Sequence, residues 1–163
     1  MLIAISGLPG SGKSTFGQSY FGADRHPRAR VPLFETDEFF YRPDPNKPGG
    51  EIYRFDPTKL AEYHLKNQNR TRLWLAQNPR GTCVVANTFS QHWELEPYVK
   101  IAAETRHPVK VYYCHPDPLT LDDLAEQNIH GVPRESLYRM AERWEPVMSA
   151  ITIYPYRTMS TVR

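Results

Sequence analysis

Apolar and polar positions divide the chain into short hydrophobic runs and longer amphipathic stretches. The short runs are rich in β-branched residues and predict buried strands, which lie at residues 2–6, 31–35, 82–86 and 109–114. Apolar residues at helical spacing predict helices, located after residue 12, from 57 toward 79, from 93 to 105, and from 119 to 127 with a resumption through 144. Because strands and helices alternate, we expect an α/β fold whose parallel sheet is covered on both faces.

Loop signals separate these elements. Residues 42–56 are rich in proline and glycine and are predicted to form an irregular loop. Asp56 is predicted to cap the helix that opens with Pro57. The tail at residues 151–162 is rich in Ile, Thr and Tyr and is predicted to add an edge strand, which gives a sheet of four to five strands. Because no repeat or linker interrupts the pattern, residues 1–163 are predicted to form a single domain.

Composition narrows the class of protein only slightly. Apolar residues make up 40% and charged residues 23% of the chain, which is ordinary for a globular protein. No apolar run approaches the roughly 18 residues of a membrane span, and the opening run is too short for a secretory signal. Cys83 and Cys114 lie in predicted strands and are expected to be reduced, so we predict a cytoplasmic protein. The net charge of +2 does not by itself indicate a nucleic-acid partner.

The strongest chemical signal follows the first predicted strand. Residues 7–14 match the pattern G-x-x-x-x-G-K-S in full and lie between a strand and a helix, as a phosphate-binding loop (P-loop) requires. Lys13 is expected to reach the β- and γ-phosphates of ATP, and the Ser14 hydroxyl is expected to ligate Mg²⁺. The pattern therefore predicts a P-loop NTPase or kinase fold. The predicted ATP-binding residues are Gly7, Pro9, Gly10, Ser11, Gly12, Lys13, Ser14 and Thr15.

A carboxylate follows the second predicted strand. Asp37 would lie at the carboxyl edge of the sheet, where α/β folds bind their ligands. A kinase needs a group at this place to accept the proton of the acceptor hydroxyl. An aspartate that caps a helix or stabilises a turn would look the same, so the residues alone leave both roles open.

Several segments together resemble a known family, the polynucleotide-kinase-like P-loop kinases. This family includes bacteriophage polynucleotide kinases, phage 5-hydroxymethyluracil DNA kinases and the kinase domains of certain eukaryotic ubiquitin-ligase-binding proteins. The resemblance covers roughly residues 2–146, and the segment at residues 128–133 is much more specific than the P-loop alone. The segments that carry it are residues 7–15, 36–40 (Thr-Asp-Glu-Phe-Phe), 87–88, 93–98, 128–133 (Asn-Ile-His-Gly-Val-Pro), Met140 and 143–145.

The resemblance implies roles for particular residues. It implies that Asp37 is the general base, that residues 117–145 form a helical lid over the donor phosphates, and that the acceptor is a hydroxyl on nucleic acid. In the family, a lid arginine stabilises the charge that develops on the transferred phosphoryl group. Glu126 and Gln127 occupy the family's arginine positions here, and the nearest arginines are Arg134, which we predict to be catalytic, and Arg139.

The third predicted strand also departs from the family. The family's Asp-Thr-Asn is Ala86-Asn87-Thr88 in this chain. A carboxylate near Mg²⁺ or near Lys13 is therefore expected to be missing. The P-loop and Asp37 are intact, so the two departures concern the rate and the acceptor more than the class of reaction.

Three acceptors are consistent with these residues. The first is a 5′-hydroxyl end of DNA or RNA, but end-healing kinases are often fused to a phosphatase or ligase, for which 163 residues leave no room. The second, which we favour slightly, is the hydroxymethyl of 5-hydroxymethyluracil in phage DNA, which would place the protein in the host cytoplasm. A base in a duplex must be flipped or exposed to react, and aromatic residues could stack on it: Phe39, Phe40, Tyr41, Tyr53 and Phe55. The third is a nucleoside or another small molecule.

A hypothesis of another class is an ATP-binding switch. The departures in the lid permit a protein that binds ATP but transfers little phosphate. This hypothesis predicts nucleotide binding without phosphorylation of any hydroxyl.

Overall fold

A parallel five-stranded sheet forms the centre of the fold. The computed structural model describes residues 1–26 and 28–156. The strand order is β2-β5-β1-β6-β7, and every neighbouring pair in this sheet is parallel. A two-stranded antiparallel hairpin, β3-β4, lies outside it. The strands are β1 (Leu2–Ser6), β2 (Leu33–Phe34), β3 (Tyr41–Pro43), β4 (Glu51–Tyr53), β5 (Cys83–Ala86), β6 (Val109–Cys114) and β7 (Ile151–Ile153).

Helices cover both faces of the sheet. Alternate residues of β1 point to opposite faces: Leu2 and Ala4 pack with α2 and α3, whereas Ile3 and Ile5 pack with residues around α1. Burial on both faces explains why the central strands are continuously apolar. The fold class predicted from the sequence, α/β with a parallel sheet, is therefore confirmed. The helices are α1 (Lys13–Phe21), α2 (Leu60–Gln77), α3 (His92–Glu104), α4 (Leu121–Gln127) and α5 (Arg134–Glu142).

The helices α4 and α5 form a separate hydrophobic cluster beside the P-loop. Leu124 and Leu137 pack with Leu8, and all three side chains are buried. A Cβ atom at Gly10 would come within 2.9 Å of the Leu124 carbonyl oxygen. The helical pair predicted within residues 117–145 is thus in direct contact with the P-loop.

The segment between β2 and α2 differs from its prediction. Residues 42–56 contain the β3-β4 hairpin rather than only irregular loop. The prolines led to the prediction of an irregular loop, although proline is tolerated at edge strands and strand ends. The strand β2 is also shorter than predicted and leads into a 3₁₀ turn at Thr36–Phe40. Asp56 does cap the following turn, because its Oδ1 accepts a hydrogen bond of 2.9 Å from the Thr58 backbone N–H.

An edge strand and two buried, reduced cysteines were also predicted from the sequence. Residues Ile151–Ile153 form the predicted edge strand, and residues 157–162 of that predicted strand lie outside the described part of the chain. Cys83 and Cys114 are free and buried, as expected. Within the described residues, none of the helices has the length and apolar character that a bilayer crossing requires.

Candidate active site

The loop between β1 and α1 has the backbone geometry of a phosphate cradle. Gly10 and Gly12 have φ angles of 81° and 86°, a left-handed conformation that favours glycine. The helix α1 begins at Lys13, so its first N–H groups point toward the loop. Of the predicted ATP-binding residues, Gly7 and Ser11 do not line the cavity in front of the loop. Those that line it are Pro9, Gly10, Gly12, Lys13, Ser14 and Thr15.

Lys13 lies in an environment that favours binding of an anion. Its Nζ donates a hydrogen bond of 2.9 Å to the Leu8 carbonyl oxygen. Burial lowers the pKa of Lys13, and the negative charge of the nearby Asp37 and Glu35 carboxylates acts in the opposite direction. A partly buried ammonium group gains from a phosphate partner that replaces its lost hydration.

A buried carboxylate contacts the predicted Mg²⁺ ligand. Ser14 Oγ donates a hydrogen bond to Glu35 Oε1, and Arg25 Nε donates one of 2.6 Å to Glu35 Oε2. Glu35 is only 6% exposed. Position 86 is an alanine, as the sequence shows, but the expectation that no carboxylate lies near the P-loop was wrong. Glu35, which follows β2, reaches across β5 to Ser14.

Asp37 lies where two other elements meet. Its Oδ1 accepts a hydrogen bond of 3.1 Å from the Tyr53 hydroxyl on β4, and its Oδ2 is 3.7 Å from His130 Nε2 in the segment between α4 and α5. The rings of Tyr53 and His130 are 4.5 Å apart. Burial and the neighbouring Asp37 carboxylate raise the pKa of Tyr53, so the phenol stays protonated and donates to Asp37.

A buried polar network holds the turn that carries Asp37. The Thr36 backbone N–H donates a hydrogen bond of 3.0 Å to Asn87 Oδ1 at the end of β5. The Tyr98 hydroxyl on α3 in turn accepts hydrogen bonds from Asn67 (2.8 Å) and Asn87 (3.4 Å). Burial raises the pKa of Tyr98 to about 12. These bonds fix the end of β2 to β5, α2 and α3, and so they fix the position of Asp37.

The neighbouring Glu38 points away from this site. Its Oε2 accepts a hydrogen bond from Arg70 Nη1 on α2, and it is absent from the described residues that line the cavity. Of these two adjacent carboxylates, Asp37 lines the cavity and Glu38 does not.

The arginines near the lid occupy different surroundings. Arg134 Nη1 lies 3.0 Å from Asp122 Oδ1 in an exposed ion pair, and Arg139 Nη2 donates a hydrogen bond of 3.3 Å to Ser136. Arg143 lines the cavity, with Nη2 at 3.7 Å from Glu94 Oε1. Arg143 belongs to one of the segments that resemble the family, but no role was predicted for it. Arg134 was preferred because it lies closer along the chain to the family's arginine positions.

The P-loop and Asp37 line one continuous cavity of about 560 Å³. At the P-loop end it is bounded by the loop and by Gln127 and Tyr156, which both hydrogen-bond to the Gly10 carbonyl oxygen. Away from the loop itself, the residues that line the cavity include Asp37, Tyr53, Phe55, His64, Phe89, Glu94, His130 and Arg143. A cavity of this size matches small-molecule and cofactor sites, and it brings a phosphate cradle and a carboxylate into one space.

Sheet order, P-loop and cavity together define a P-loop kinase-like domain. The chain belongs to the AAA_33 family, described as an AAA domain, whose model matches residues 2–147. It is 34% identical over 152 residues to human NEDD4-binding protein 2; the match covers 91% of this chain and 8% of that protein's length.

Two solved structures show the same fold. A protein from Chloroflexus aurantiacus superposes with a TM-score of 0.64 at 16% identity, over 94% of this chain and 86% of that chain. The Mycobacterium tuberculosis APS kinase CysC, in complex with AMPPNP and APS, superposes with a TM-score of 0.57 at 15% identity, over 94% of this chain and 87% of that chain. The fold is therefore that of P-loop kinases.

Proposed function

We propose that this chain transfers the γ-phosphate of ATP to a hydroxyl on nucleic acid, with the hydroxymethyl of 5-hydroxymethyluracil in DNA as the favoured acceptor. The observation that carries the reaction type is that Lys13 of the P-loop and Asp37 line the same cavity. A kinase needs the donor phosphates and a proton acceptor within reach of one hydroxyl. The choice of acceptor rests on the family resemblance and on the aromatic residues of the cavity.

The donor end is proposed to bind the phosphates through the P-loop. The backbone N–H groups at the start of α1 and the Lys13 ammonium attract the phosphate oxygens. Ser14 and the adjacent Glu35 carboxylate are hard oxygen donors of the kind that Mg²⁺ prefers, so these residues fit the ion. When bound, Mg²⁺ would supply positive charge that offsets the phosphate charge.

At the acceptor end, Asp37 is proposed to remove the proton of the attacking hydroxyl. The acceptor oxygen forms a bond to the γ-phosphorus, the bond from that phosphorus to the β,γ-bridging oxygen breaks, and ADP leaves. The hydroxyl proton passes to Asp37. The Tyr53 hydroxyl, which donates to Asp37 Oδ1, orients the carboxylate so that Oδ2 is available for this proton.

A cation over the transferred phosphoryl group is also required. Arg143 is the lid residue that we favour for this role, because it faces the cavity and its contact with Glu94 is long, at 3.7 Å. Arg134 remains a predicted alternative, which would have to leave Asp122 to act. Exposed ion pairs of this kind cost little to break, about 0–1 kcal/mol.

The aromatic residues support a flat acceptor. Phe55 is 55% exposed and lines the cavity together with Tyr53. Phe40, in contrast, is completely buried and packs against Tyr63, so it belongs to the core. Exposed aromatic rings beside a catalytic carboxylate are suited to stacking on a nucleobase.

The decisive experiment is transfer of labelled γ-phosphate from ATP, with Mg²⁺, to three acceptors. One DNA has free 5′-hydroxyl ends and ordinary bases, a second has phosphorylated ends and internal 5-hydroxymethyluracil, and the third acceptor is the free nucleoside 5-hydroxymethyldeoxyuridine. Label on the second DNA alone supports the favoured acceptor, and label on the first alone identifies a 5′-end kinase. Label on the nucleoside alone identifies a small-molecule kinase, for which the cavity volume of about 560 Å³ is the favouring observation. Binding of ATP without label on any of them favours the switch.

A further inference from the structure

The register of the sheet places Glu35 beside Ala86, the position at which the family carries an aspartate. In β2 and β5, Leu33 pairs with Val84 and Phe34 pairs with Val85. Glu35, the residue that follows β2, therefore lies level with Ala86, the last residue of β5. Ala86 in turn pairs with Ile5, just before the P-loop. Glu35 lies one strand farther from the P-loop than position 86 does. Because a glutamate side chain is longer than an aspartate side chain, Glu35 can still reach the space that an aspartate at position 86 would occupy.

The surroundings of Glu35 indicate that its carboxylate has a functional role. Burial of a carboxylate costs several kcal/mol unless the charge is paired and hydrogen-bonded. Glu35 is buried, accepts a hydrogen bond from Ser14 Oγ, pairs with Arg25 and lines the cavity. A group that served only to stabilise the turn would not need to contact the hydroxyl of the P-loop serine.

We propose that Glu35 is the carboxylate of the Mg²⁺ site, supplied from the end of β2 in place of an acidic residue at the end of β5. In P-loop NTPases generally, the ion is held by the P-loop Ser or Thr and by an acidic residue on a neighbouring strand. Here Ser14 and Glu35 are already joined by a hydrogen bond. Arg25 donates a hydrogen bond to the carboxylate and so orients it when no ion is bound. This inference rests on the proposed binding of ATP with Mg²⁺, and it does not depend on the acceptor.

The other polar residues nearby have different partners. Asn87, which follows Ala86, uses its Oδ1 to accept the Thr36 backbone N–H. Asp37 faces Tyr53 and His130 rather than Ser14. We therefore assign different tasks to the two carboxylates of this turn that line the cavity: Glu35 serves the donor end and Asp37 serves the acceptor end.

The test measures how strongly Mg²⁺ promotes nucleotide binding, without any acceptor. The affinity for a fluorescent, non-hydrolysable ATP analogue is measured in Mg²⁺ and in EDTA, and the ratio is compared between variants. Glu35→Gln should lower this ratio by about tenfold or more, the scale reported for residues that tune a metal site, and should leave the affinity in EDTA nearly unchanged. Glu38→Gln is the matched control, because Glu38 lies on the same turn but outside the cavity lining, and it should keep the wild-type ratio.

Two more variants keep the test decisive. Glu35→Asp retains the charge but shortens the side chain, so it should lower the ratio even if Glu35→Gln does not fold. The double variant Glu35→Ser with Ala86→Asp returns the carboxylate to β5 and should recover most of the ratio. A wild-type ratio in folded Glu35→Gln or in Glu35→Asp would overturn the proposal. Because no acceptor is present, this result is independent of whether any nucleic acid is phosphorylated.

Discussion

Asp37 is the residue on which the proposed chemistry depends most. We predict that Asp37→Asn leaves affinity for the ATP analogue within about twofold, because Asp37 is not in contact with the P-loop serine, whereas transfer falls by about 10²–10⁴, the usual contribution of a general base. The measurement is single-turnover transfer of label to whichever acceptor the three-acceptor experiment identifies. Asparagine keeps the size and can still accept the Tyr53 hydrogen bond, so a loss of activity reports the missing proton acceptor.

Glu38→Gln is the appropriate control for this substitution. Glu38 carries the same charge one residue away and pairs with Arg70. It should retain near-wild-type transfer. Near-full activity in Asp37→Asn would refute the assignment of the base.

The three arginines of the predicted lid provide a second prediction at the scale of residues. Arg143→Ala should reduce transfer by about 10²–10³, the cost of removing one group that stabilises charge in the transition state. Arg139→Ala should have little effect, because its side chain contacts Ser136 on the helix surface. Rates for Arg134→Ala, Arg139→Ala and Arg143→Ala are compared at saturating ATP. Loss of activity in Arg134→Ala alone would instead support Arg134 as the catalytic arginine, which is the role predicted for it from the sequence.

At the scale of elements, the polar network behind Asp37 joins α2, α3 and β5 through one hydroxyl group. Tyr98→Phe removes the acceptor of Asn67 and Asn87 from a position that is fully buried. We expect the free energy of unfolding to fall by about 1–3 kcal/mol, the cost of leaving buried donors unsatisfied. Urea unfolding should show a lower midpoint with an unchanged slope.

Tyr20→Phe is the matched control for Tyr98→Phe. Tyr20 is 68% exposed on α1, so loss of its hydroxyl should change the free energy of unfolding by less than about 0.5 kcal/mol. Equal effects of the two substitutions would show that the network does not hold the elements together.

The elements themselves were predictable to different degrees. The strand at residues 109–114 and the helix boundaries near 77, 104 and 127 agree with the apolar periodicity. The β3-β4 hairpin was not predicted, since its strands are short and mostly exposed and therefore carry no periodic pattern. Its pairing depends on the contact of Tyr41 and Tyr53 and on the packing of their rings, which the linear sequence does not reveal.

The site was predictable where a motif defined it. The P-loop and Asp37 could be located because each directly follows a strand, and parallel strands bring their carboxyl ends to one edge. Glu35 and Arg143 could not, because the roles proposed for them depend on packing: Glu35 reaches across one strand to Ser14, and Arg143 lines the cavity at the end of α5. For Glu35, the only signal in the sequence was its place at the end of a predicted buried strand.

At the scale of the whole molecule, the P-loop lies between α1 and the α4-α5 pair, so a bound nucleotide should stabilise the entire fold. The free energy gained follows from binding to the folded state alone, about 2.7 kcal/mol at 100 times the dissociation constant. For a chain of this length that corresponds to a rise in melting temperature of about 5–10 °C. The shift is measured by calorimetry with the ATP analogue, with Mg²⁺ and with EDTA.

Variants of two lysines separate specific binding from a general effect of the ligand. Lys13→Ala removes the charge that attracts the phosphates, so its own melting temperature should hardly respond to the nucleotide. Lys110→Ala alters an exposed lysine that does not line the cavity, and its response should equal that of the wild type. If Lys13→Ala responded as strongly as Lys110→Ala, the nucleotide would bind somewhere other than the P-loop. The donor end of the cavity would then have to be reassigned, because the stabilisation of the fold is linked to the site that the ligand occupies.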